Sequence, residues 1–441
     1  MDFIAAIGGT AWTVFFFIVA LSIIVFVHEY GHYIVGRWSG IHSEVFSVGF
    51  GPVLWSRLDK RGTRWQVAAV PFGGYVRFMG DADATSVRHA DVSGLSARER
   101  RHTMAGAPLW ARSATVVAGP VANFILTFLL LMGIILALGI PRDEVTVGKA
   151  LALPGVETSL VAGDVVLALN GSATPDRETF ATVARDLPVD EPVVWTLRRG
   201  DTTVDVAGPH PLPALVAGVS IRSAAMDAGL KGGDVIIRAG GQDVSAFAQL
   251  PDIVKATEGA PIDLTVWRDG ATFDVTLTPR VRALPKEDGT FEERYLIGLE
   301  SGAAFEPATR QPGLLEAVQL SGAQMWTITT TTFRSLGKMI VGQLSTCNLS
   351  GAIGMAETMG DAARKGAIDF ISMMAILSLG VGILNLFPIP VLDGGHLVFH
   401  AYEAVMRRPP SDRALRVLMS IGLTLVLGLM AFALSRDLIC V

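Results

Sequence analysis

Long apolar runs divide this sequence into segments. Four runs with almost no charge cover residues 11–27, 114–140, 368–387 and 417–434. Each approaches or exceeds the ~18–20 residues that a helix needs to cross ~30 Å of hydrocarbon. The flank before the first run carries Asp2 and no basic residue, so we expect a retained span rather than a signal peptide. The pattern therefore predicts four transmembrane helices.

A strand-like pattern follows the first run. VFSVGFGPVLWSRLD (45–59) and TRWQVAAVPFGGYVRFMG (63–80) flank a short polar turn. These segments predict a β-hairpin at about 44–80, whose glycines and Pro71 indicate bulges and an irregular edge. We expect it to dip into the bilayer, where such a backbone must be buried in protein or line a wet cavity. A cytoplasmic hairpin without a membrane role is the alternative.

The region between the second and third runs contains an internal repeat. LVAGDVVLALNG (160–171) aligns with LKGGDVIIRAGG (230–241), and PVVWTLRRGDTTVDV (192–206) aligns with PIDLTVWRDGATFDV (261–275). Gly163 and Gly200 match Gly233 and Gly270 at a single offset of seventy. A fixed offset predicts two copies of one domain with no net insertion between them.

Each copy alternates β-branched with polar residues and places Gly-Asp or Asn-Gly at its turns, as in a small, mostly β domain. The copies resemble PDZ domains, which take an extended peptide or a free C-terminus onto a sheet edge. An unrelated pair of β-sandwiches is the alternative. We place the copies at 141–210 and 211–283, and a linker with an amphipathic helix at 284–366.

Composition agrees with a membrane protein in contact with the lipid bilayer. Half of the 441 residues are hydrophobic and only 17% are charged, which is too apolar for an ordinary soluble enzyme of this length. The net charge is −5, and no basic stripe with interleaved aromatic residues is present. We therefore expect no nucleic-acid partner.

Basic residues predict the orientation. Residues 36–113 and 407–413, in the first and third connections, are rich in arginine. By the positive-inside rule both connections are cytoplasmic. Four spans then place both termini and the long 141–366 region on the opposite side, which is the periplasm in a Gram-negative bacterium.

Candidate chemistry lies at the end of the first run, in VHEYGHY (27–33). In a helix, His28 and His32 are four residues apart on one face, which suits two imidazole ligands of one tetrahedral zinc. Glu29 is placed to polarise a zinc-bound water, whose pKa a catalytic zinc lowers to ~7. Ionisable side chains inside a membrane span cost free energy, and a bound metal would explain why three of them occur together here. The alternative places these side chains in water at the membrane edge.

A third ligand is expected in GILNLFPIPVLDGGHL (382–397). Pro388 and Pro390 break the helix there, and a carboxylate from Asp393 or an imidazole from His396 is the candidate ligand. Asn385, inside the same run, suits a substrate carbonyl or a developing oxyanion, or else a hydrogen bond between helices.

Taken together, HEYGH (28–32), PDZ-like copies between spans two and three, and NLFPIPVLDGG (385–395) resemble the site-2 protease family of intramembrane zinc metalloproteases. The resemblance covers essentially the whole chain, and GPVAN (119–123) in span two matches as well. One departure is Ala352, where relatives usually carry a proline.

The resemblance implies a set of site residues. His28, His32 and Asp393 would bind one Zn²⁺, Glu29 would act as the catalytic acid and base, and Asn385 would position substrate. The family's re-entrant β-hairpin corresponds to GFGP (49–52) and PFGGYV (71–76). The substrate-binding glycines within it are then Gly49, Gly51, Gly73 and Gly74.

The fold class implied is a polytopic α-helical membrane protein with four transmembrane helices, a membrane-associated β-hairpin and two periplasmic PDZ-like domains. The N-terminal membrane part covers 1–140 and the C-terminal part 367–441. The activity implied is zinc-dependent cleavage of single-span proteins within or near the membrane of the bacterial inner membrane. The substrate class is a pre-cleaved anti-sigma factor, with remnant signal peptides as a further class. A catalytically inactive PDZ scaffold and a metal transporter are the alternatives.

Overall fold

The computed structural model describes residues 2–80, 94, 96–155, 159–189, 191–220, 222–285, 291–346 and 349–439. The described helices are α1 Asp2–Trp38, α2 Ala97–Arg101, α3 Leu109–Leu138, α4 Arg177–Asp186, α5 Ala224–Asp227, α6 Gln249–Ala256, α7 Leu314–Ile340, α8 Ala352–Lys365, α9 Ala367–Asn385, α10 Asp393–Met406 and α11 Asp412–Ile439.

The described strands alternate with these helices in the first three quarters of the chain. They are β1 Ser43–Leu58, β2 Arg64–Phe78, β3 Ile140–Pro141, β4 Val147–Ala150, β5 Val165–Leu169, β6 Ser172–Ala173, β7 Val193–Arg199, β8 Thr202–Gly208, β9 Val216–Val219, β10 Val235–Ala239, β11 Gln242–Asp243, β12 Ile262–Arg268, β13 Ala271–Leu277, β14 Arg280–Pro285, β15 Phe291–Leu296, β16 Leu299–Ser301, β17 Phe305–Pro307 and β18 Thr309–Arg310.

Four of the described helices are long and apolar enough to cross a membrane. They are α1 over Gly9–Trp38, α3, α9 and α11, with mean hydropathy between 2.1 and 2.6 in their most apolar windows. The four predicted spans are confirmed, and the protein is a polytopic membrane protein with β-rich parts. The chain divides into a membrane unit (Met1–Ile134, Val318–Gly337 and Thr346–Val441) and a β unit (Ile135–Ala317 and Lys338–Ser345).

Strands β1 and β2 of the membrane unit form more than a simple hairpin. Residues 53–58 of β1 pair with 64–68 of β2, while residues 45–48 pair with 74–77 on one side and with 64–67 on the other. The two long strands therefore fold into a sheet of four segments, and the bend in β1 lies at the glycines between Val48 and Val53. Gly49 has a φ of +89° there, and a Cβ would lie 2.9 Å from the Ala68 carbonyl oxygen, so only glycine suits this bend. The outer segment exposes Leu54, which is 71% exposed.

The β unit contains two four-stranded sheets built in the same order, β6-β5-β7-β8 and β11-β10-β12-β13. Their cores are separate: one includes Trp195, and the other includes Ile236 and Leu264. The repeated Gly-Asp pair has the same role in both. Asp164 is buried and binds Arg199 at 2.7–2.8 Å, and Asp234 is buried and binds Arg268. The Arg199 guanidinium holds the pKa of Asp164 below its usual range.

These ion pairs correct the expected repeat offset. The aspartates are seventy residues apart, but Arg199 and Arg268 are sixty-nine apart, as are strands β7 and β12. The second copy has therefore lost one residue between its second and fourth strand, and the constant offset of seventy is wrong in that stretch. Gly200 and Gly270 are seventy residues apart only because the two turns carry glycine and aspartate in opposite order. The turn is Gly200-Asp201 in the first copy and Asp269-Gly270 in the second.

The expected domain boundaries at 141–210, 211–283 and 284–366 are also wrong. Strand β16 pairs with β9 of the second copy, and β17 pairs with β4 of the first. Phe305 lies in the core of the first copy, packed 6.1 Å from the Trp195 ring. The second copy is thus inserted within the first, and the described residues from Phe291 to Arg310 contain four strands, β15 to β18, instead of a linker. The helix expected in the linker is α7, Leu314–Ile340.

The start of α8 explains how the chain tolerates Ala352. Asp437 of α11 is 5% exposed, and its carboxylate accepts hydrogen bonds from the backbone N–H groups of Gly351, Ile353 and Gly354 at 2.8–3.0 Å. Asp437 does not bond the N–H of Ala352, the first residue of the helix, so a proline there would lose no hydrogen bond to this cap. The Asp437 carboxylate of α11 can therefore cap the start of α8 whether residue 352 is alanine or proline.

We predict that Ala352→Pro raises stability by about 0.4–1 kcal/mol, because proline restricts the unfolded chain while no backbone hydrogen bond is lost. Gly351 is extended, with φ −84° and ψ −163°, which a following proline accepts. Thermal unfolding of the full chain in detergent measures the effect. Ala356→Pro, inside the same helix, is the matched control and should destabilise by about 3 kcal/mol. Equal losses in both variants would show that α8 does not begin at this cap.

Candidate active site

The two histidines and the aspartate predicted from the sequence converge in the membrane unit. His28 and His32 lie one turn apart in α1, and their Nε2 atoms are 3.1 Å from each other. Oδ2 of Asp393 lies 3.2 Å from Nε2 of His28 and 3.5 Å from Nε2 of His32. The three side chains are only 10%, 12% and 18% exposed. Three potential ligand atoms thus form a nearly equilateral triangle inside the helix bundle.

A break between two helices brings Asp393 to this position. Helix α9 ends at Asn385, and α10 begins at Asp393 after the segment that contains Pro388 and Pro390. The chain then folds back tightly on itself. A Cβ on Gly394 would overlap the carbonyl oxygens of the preceding turn, and a Cβ on Gly395 would lie 2.5 Å from the Pro390 Cα. The paired glycines after the aspartate therefore permit the turn that aims Asp393 at α1.

Helix α3 crosses α1 at the histidines and supports both rings. A Cβ on Gly119 would overlap the His32 ring and lie 2.9 Å from Cε1 of His28. Nδ1 of His32 donates a hydrogen bond to the Thr115 carbonyl oxygen at 2.8 Å, which leaves the Nε2 lone pair directed at the triangle. Nδ1 of His28 lies 3.2 Å from the side-chain amide of Asn123. Metal-binding histidines almost always have such a partner on the second ring nitrogen.

The triangle opens into a cavity of about 380 Å³. Glu29 lines it together with Gly74, Tyr75 and Val76 of β2. Gly74 lets the strand approach α1, since a Cβ there would lie 3.3 Å from Cγ of Glu29 and 2.7 Å from the Ser47 carbonyl oxygen. The acid–base candidate therefore sits between the triangle and the strand edge.

The other predicted site residues are only partly brought together. Asn385 and Gly74 line the cavity, whereas Gly49, Gly51 and Gly73 do not. A Cβ on Gly73 would overlap the Phe50 ring, so this glycine serves packing within the folded sheet. The rival ligand, His396, lines the cavity but is not part of the group of ligand atoms formed by the other three residues.

Sequence reasoning did not assign the supporting residues of α3. Asn123 and Thr115 contact the two histidines, and Arg112 binds Glu403 of α10 through two hydrogen bonds of 2.6 and 3.0 Å. The signal for Asn123 was a polar residue within an apolar span. No sequence signal indicates that the backbone carbonyl of Thr115 contacts His32, or that the guanidinium of Arg112 binds Glu403.

The geometry fits a bound zinc ion. Tetrahedral ligands about 2.0–2.1 Å from zinc are about 3.3 Å from one another, and the three edges here measure 3.1, 3.2 and 3.5 Å. Oδ2 of Asp393 is buried and accepts no well-formed hydrogen bond from the described residues. Two imidazoles and one carboxylate also match the donors of catalytic zinc sites, which leave one position open.

Known proteins resemble this chain over nearly its whole length. Residues 16–429 match Peptidase family M50. Atu1380 of Agrobacterium fabrum, named as a zinc metalloprotease, is 35% identical over 98% of this chain and 97% of its own length. The regulator of sigma-E protease RseP of Escherichia coli is 31% identical over 97% of this chain and 98% of its own length.

The extent of the match and the group of ligand atoms from His28, His32 and Asp393 lead to the same conclusion. The chain belongs to peptidase family M50, the site-2 protease family, and is a zinc metalloendopeptidase.

Proposed function

We propose that this protein hydrolyses peptide bonds within or near the transmembrane segments of single-span membrane proteins. The observation that carries the proposal is the triangle of ligand atoms beside Glu29, at the end of an apolar span and at the rim of a cavity. His28, His32 and Asp393 hold one zinc ion. Glu29 is the catalytic acid and base.

Glu29 carries the proton through the reaction. Zinc, when bound, acidifies a water and polarises the scissile carbonyl, which supplies a nucleophile at neutral pH. The Glu29 carboxylate takes a proton from the attacking water and returns it to the leaving amine. Asn385, at the cavity wall, donates to the substrate carbonyl oxygen as negative charge develops on it.

The substrate must unwind before it reacts, because a helix keeps its carbonyl groups in its own hydrogen bonds. Residues 74–77 of β2 pair with 45–48 on one side, and Gly74, Tyr75 and Val76 also line the cavity. This edge offers replacement hydrogen bonds to an extended segment by β-addition. Among the predicted hairpin glycines, Gly74 borders the bound segment directly, while Gly49, Gly51 and Gly73 shape the sheet that presents the edge.

The substrate class follows from the family and from the membrane position of the site. The regulator of sigma-E protease is a relative over nearly the whole chain. A single-span anti-sigma factor, trimmed outside the membrane beforehand, is the favoured substrate, and remnant signal peptides are a further class. The two sheets of the β unit are PDZ-like domains that act as a size filter or bind the new C-terminus.

We place the protein in the bacterial inner membrane with the active site toward the cytoplasm. Arginines are concentrated in the connections from α1 to α3 and from α10 to α11. The positive-inside rule makes both connections cytoplasmic and puts the β unit and both termini in the periplasm. The inactive scaffold considered above would need a vestigial metal site, and the intact group of His28, His32 and Asp393 beside Glu29 argues against it.

We predict that Glu29→Gln lowers cleavage of a single-span substrate by about 10²–10⁴-fold while bound zinc is retained, because the amide cannot accept the proton. The full chain is incubated in detergent micelles with a model substrate, and zinc is measured by mass spectrometry of the purified protein. His28→Ala is the control that removes a ligand and should lose both zinc and activity. Equal cleavage by wild type and Glu29→Gln would reject the mechanism.

The strand edge gives a second expected outcome. Gly74→Ala introduces a Cβ that must move the strand or Glu29, so cleavage should fall by about 10²-fold with zinc content unchanged. Gly133→Ala is the matched control, since a Cβ at Gly133 of α3 meets no other atom within 4 Å. Full activity in Gly74→Ala would rule out close contact between the edge and the reacting segment.

The orientation is tested by labelling. In spheroplasts, a single cysteine at Asp201, in the β unit, should react with a membrane-impermeant maleimide, whereas one at Arg408 should react only after lysis. The native cysteines Cys347 and Cys440 are first replaced by serine. Labelling of Arg408→Cys in intact spheroplasts would reverse the proposed orientation.

A further inference from the structure

The side chain of Asn123 is the polar group of α3 that meets a zinc-binding histidine. Asn123 is fully buried, and its Nδ2 lies 3.2 Å from Nδ1 of His28. A histidine that binds a cation through Nε2 carries its ring proton on Nδ1, so the partner of that Nδ1 has to accept a hydrogen bond. Nε2 of His28 faces the triangle, where Asp393 Oδ2 lies 3.2 Å away.

His32 is held in the tautomer that leaves Nε2 free for a metal. Its Nδ1 donates to the backbone carbonyl of Thr115 at 2.8 Å, so its Nε2 is the bare nitrogen. A backbone carbonyl can only accept, and this histidine is therefore fixed in the form that binds a metal. The two ligands on α1 thus differ: one partner is fixed, and the other is an amide with a donor and an acceptor.

The acceptor of that amide is unused. Oδ1 of Asn123 is buried and has no hydrogen-bond partner among the described residues. A half-turn of the amide group exchanges Oδ1 and Nδ2, since the two ends of an Asn side chain have nearly the same shape. Oδ1 then accepts the Nδ1 proton of His28, and the lone pair on Nε2 becomes available to the metal.

The backbone of Asn123 is held while its amide turns. The hydroxyls of Thr127 in α3 and Ser378 in α9 both donate to the Asn123 carbonyl oxygen at 3.0 Å. The Thr127 hydroxyl shares its single proton with the Ala375 carbonyl oxygen of α9, also at 3.0 Å. These bonds fix α3 against α9 at this residue, so rotation of the amide is the local change that can satisfy His28.

We infer that Asn123 is a positioning residue that sets the tautomer of His28, accepting its Nδ1 proton when the metal binds. The inference rests on the proposed zinc site and deepens it. It predicts that acceptance of a hydrogen bond at position 123, rather than the size of the side chain, determines metal affinity.

The test measures zinc affinity of the purified full chain by competition with a chromogenic chelator at constant pH. Asn123→Leu, of similar size and without hydrogen bonds, should bind zinc about 10–100-fold more weakly, and so should the smaller Asn123→Ala. Asn123→Asp accepts through either oxygen and should restore affinity to within a few-fold of wild type. Leu131→Val, two turns along α3 and also buried, is the control for a change inside this helix and should leave affinity nearly unchanged.

Three results would overturn the inference. They are unchanged affinity in both Asn123→Leu and Asn123→Ala, an equal loss in Leu131→Val, and an Asn123→Asp variant that binds as weakly as Asn123→Leu. Failure of the zinc site itself is a different result: wild type would then bind no zinc, or His28→Ala would bind it as tightly as wild type. Size-exclusion profiles matching wild type identify the variants that have folded.

Discussion

The convergence of two imidazoles and one carboxylate inside the bundle is the constraint on which the membrane unit depends. Each of these groups is costly in an apolar environment, and together they form one site that a divalent cation can neutralise. Two features of the helices let these three side chains meet. Gly119 removes the side chain that would collide with the histidine rings, and the break between α9 and α10 turns Asp393 toward them.

The folded sheet of β1 and β2 complements this site. Strands near a membrane must pair their backbone groups, and this chain does so by bending each strand so that residues 45–48 have partners on both sides. One outer segment exposes apolar side chains, including Trp55, and the other borders Glu29. The same sheet thus has an apolar edge and an edge beside the cavity, and Gly74 sets how closely the second edge approaches the Glu29 carboxylate.

The aspartate–arginine pair that recurs in the two copies of the β unit tolerates a change in residue spacing. In both copies a buried aspartate after a glycine binds an arginine from a neighbouring strand, although the spacing differs by one residue. Each aspartate also accepts a backbone N–H of its own turn, from Val161 in the first copy and Lys231 in the second. A buried carboxylate needs such partners, and a one-residue deletion in a loop between strands leaves them in place.

Local patterns in the sequence determined the spans, the strand pair, the repeat and the candidate chemistry of HEYGH, because apolar length and four-residue spacing are local properties of the chain. Tertiary structure decided which residues meet. It brings Asp393, and not His396, into the group of ligand atoms with the two histidines. It also places Gly74 but not Gly49, Gly51 or Gly73 at the cavity, and inserts the second β copy within the first. It also paired Asn123 with His28 and Asp437 with the start of α8. These contacts join residues far apart in the chain, and their distances depend on how helices cross and strands bend, which no local pattern encodes.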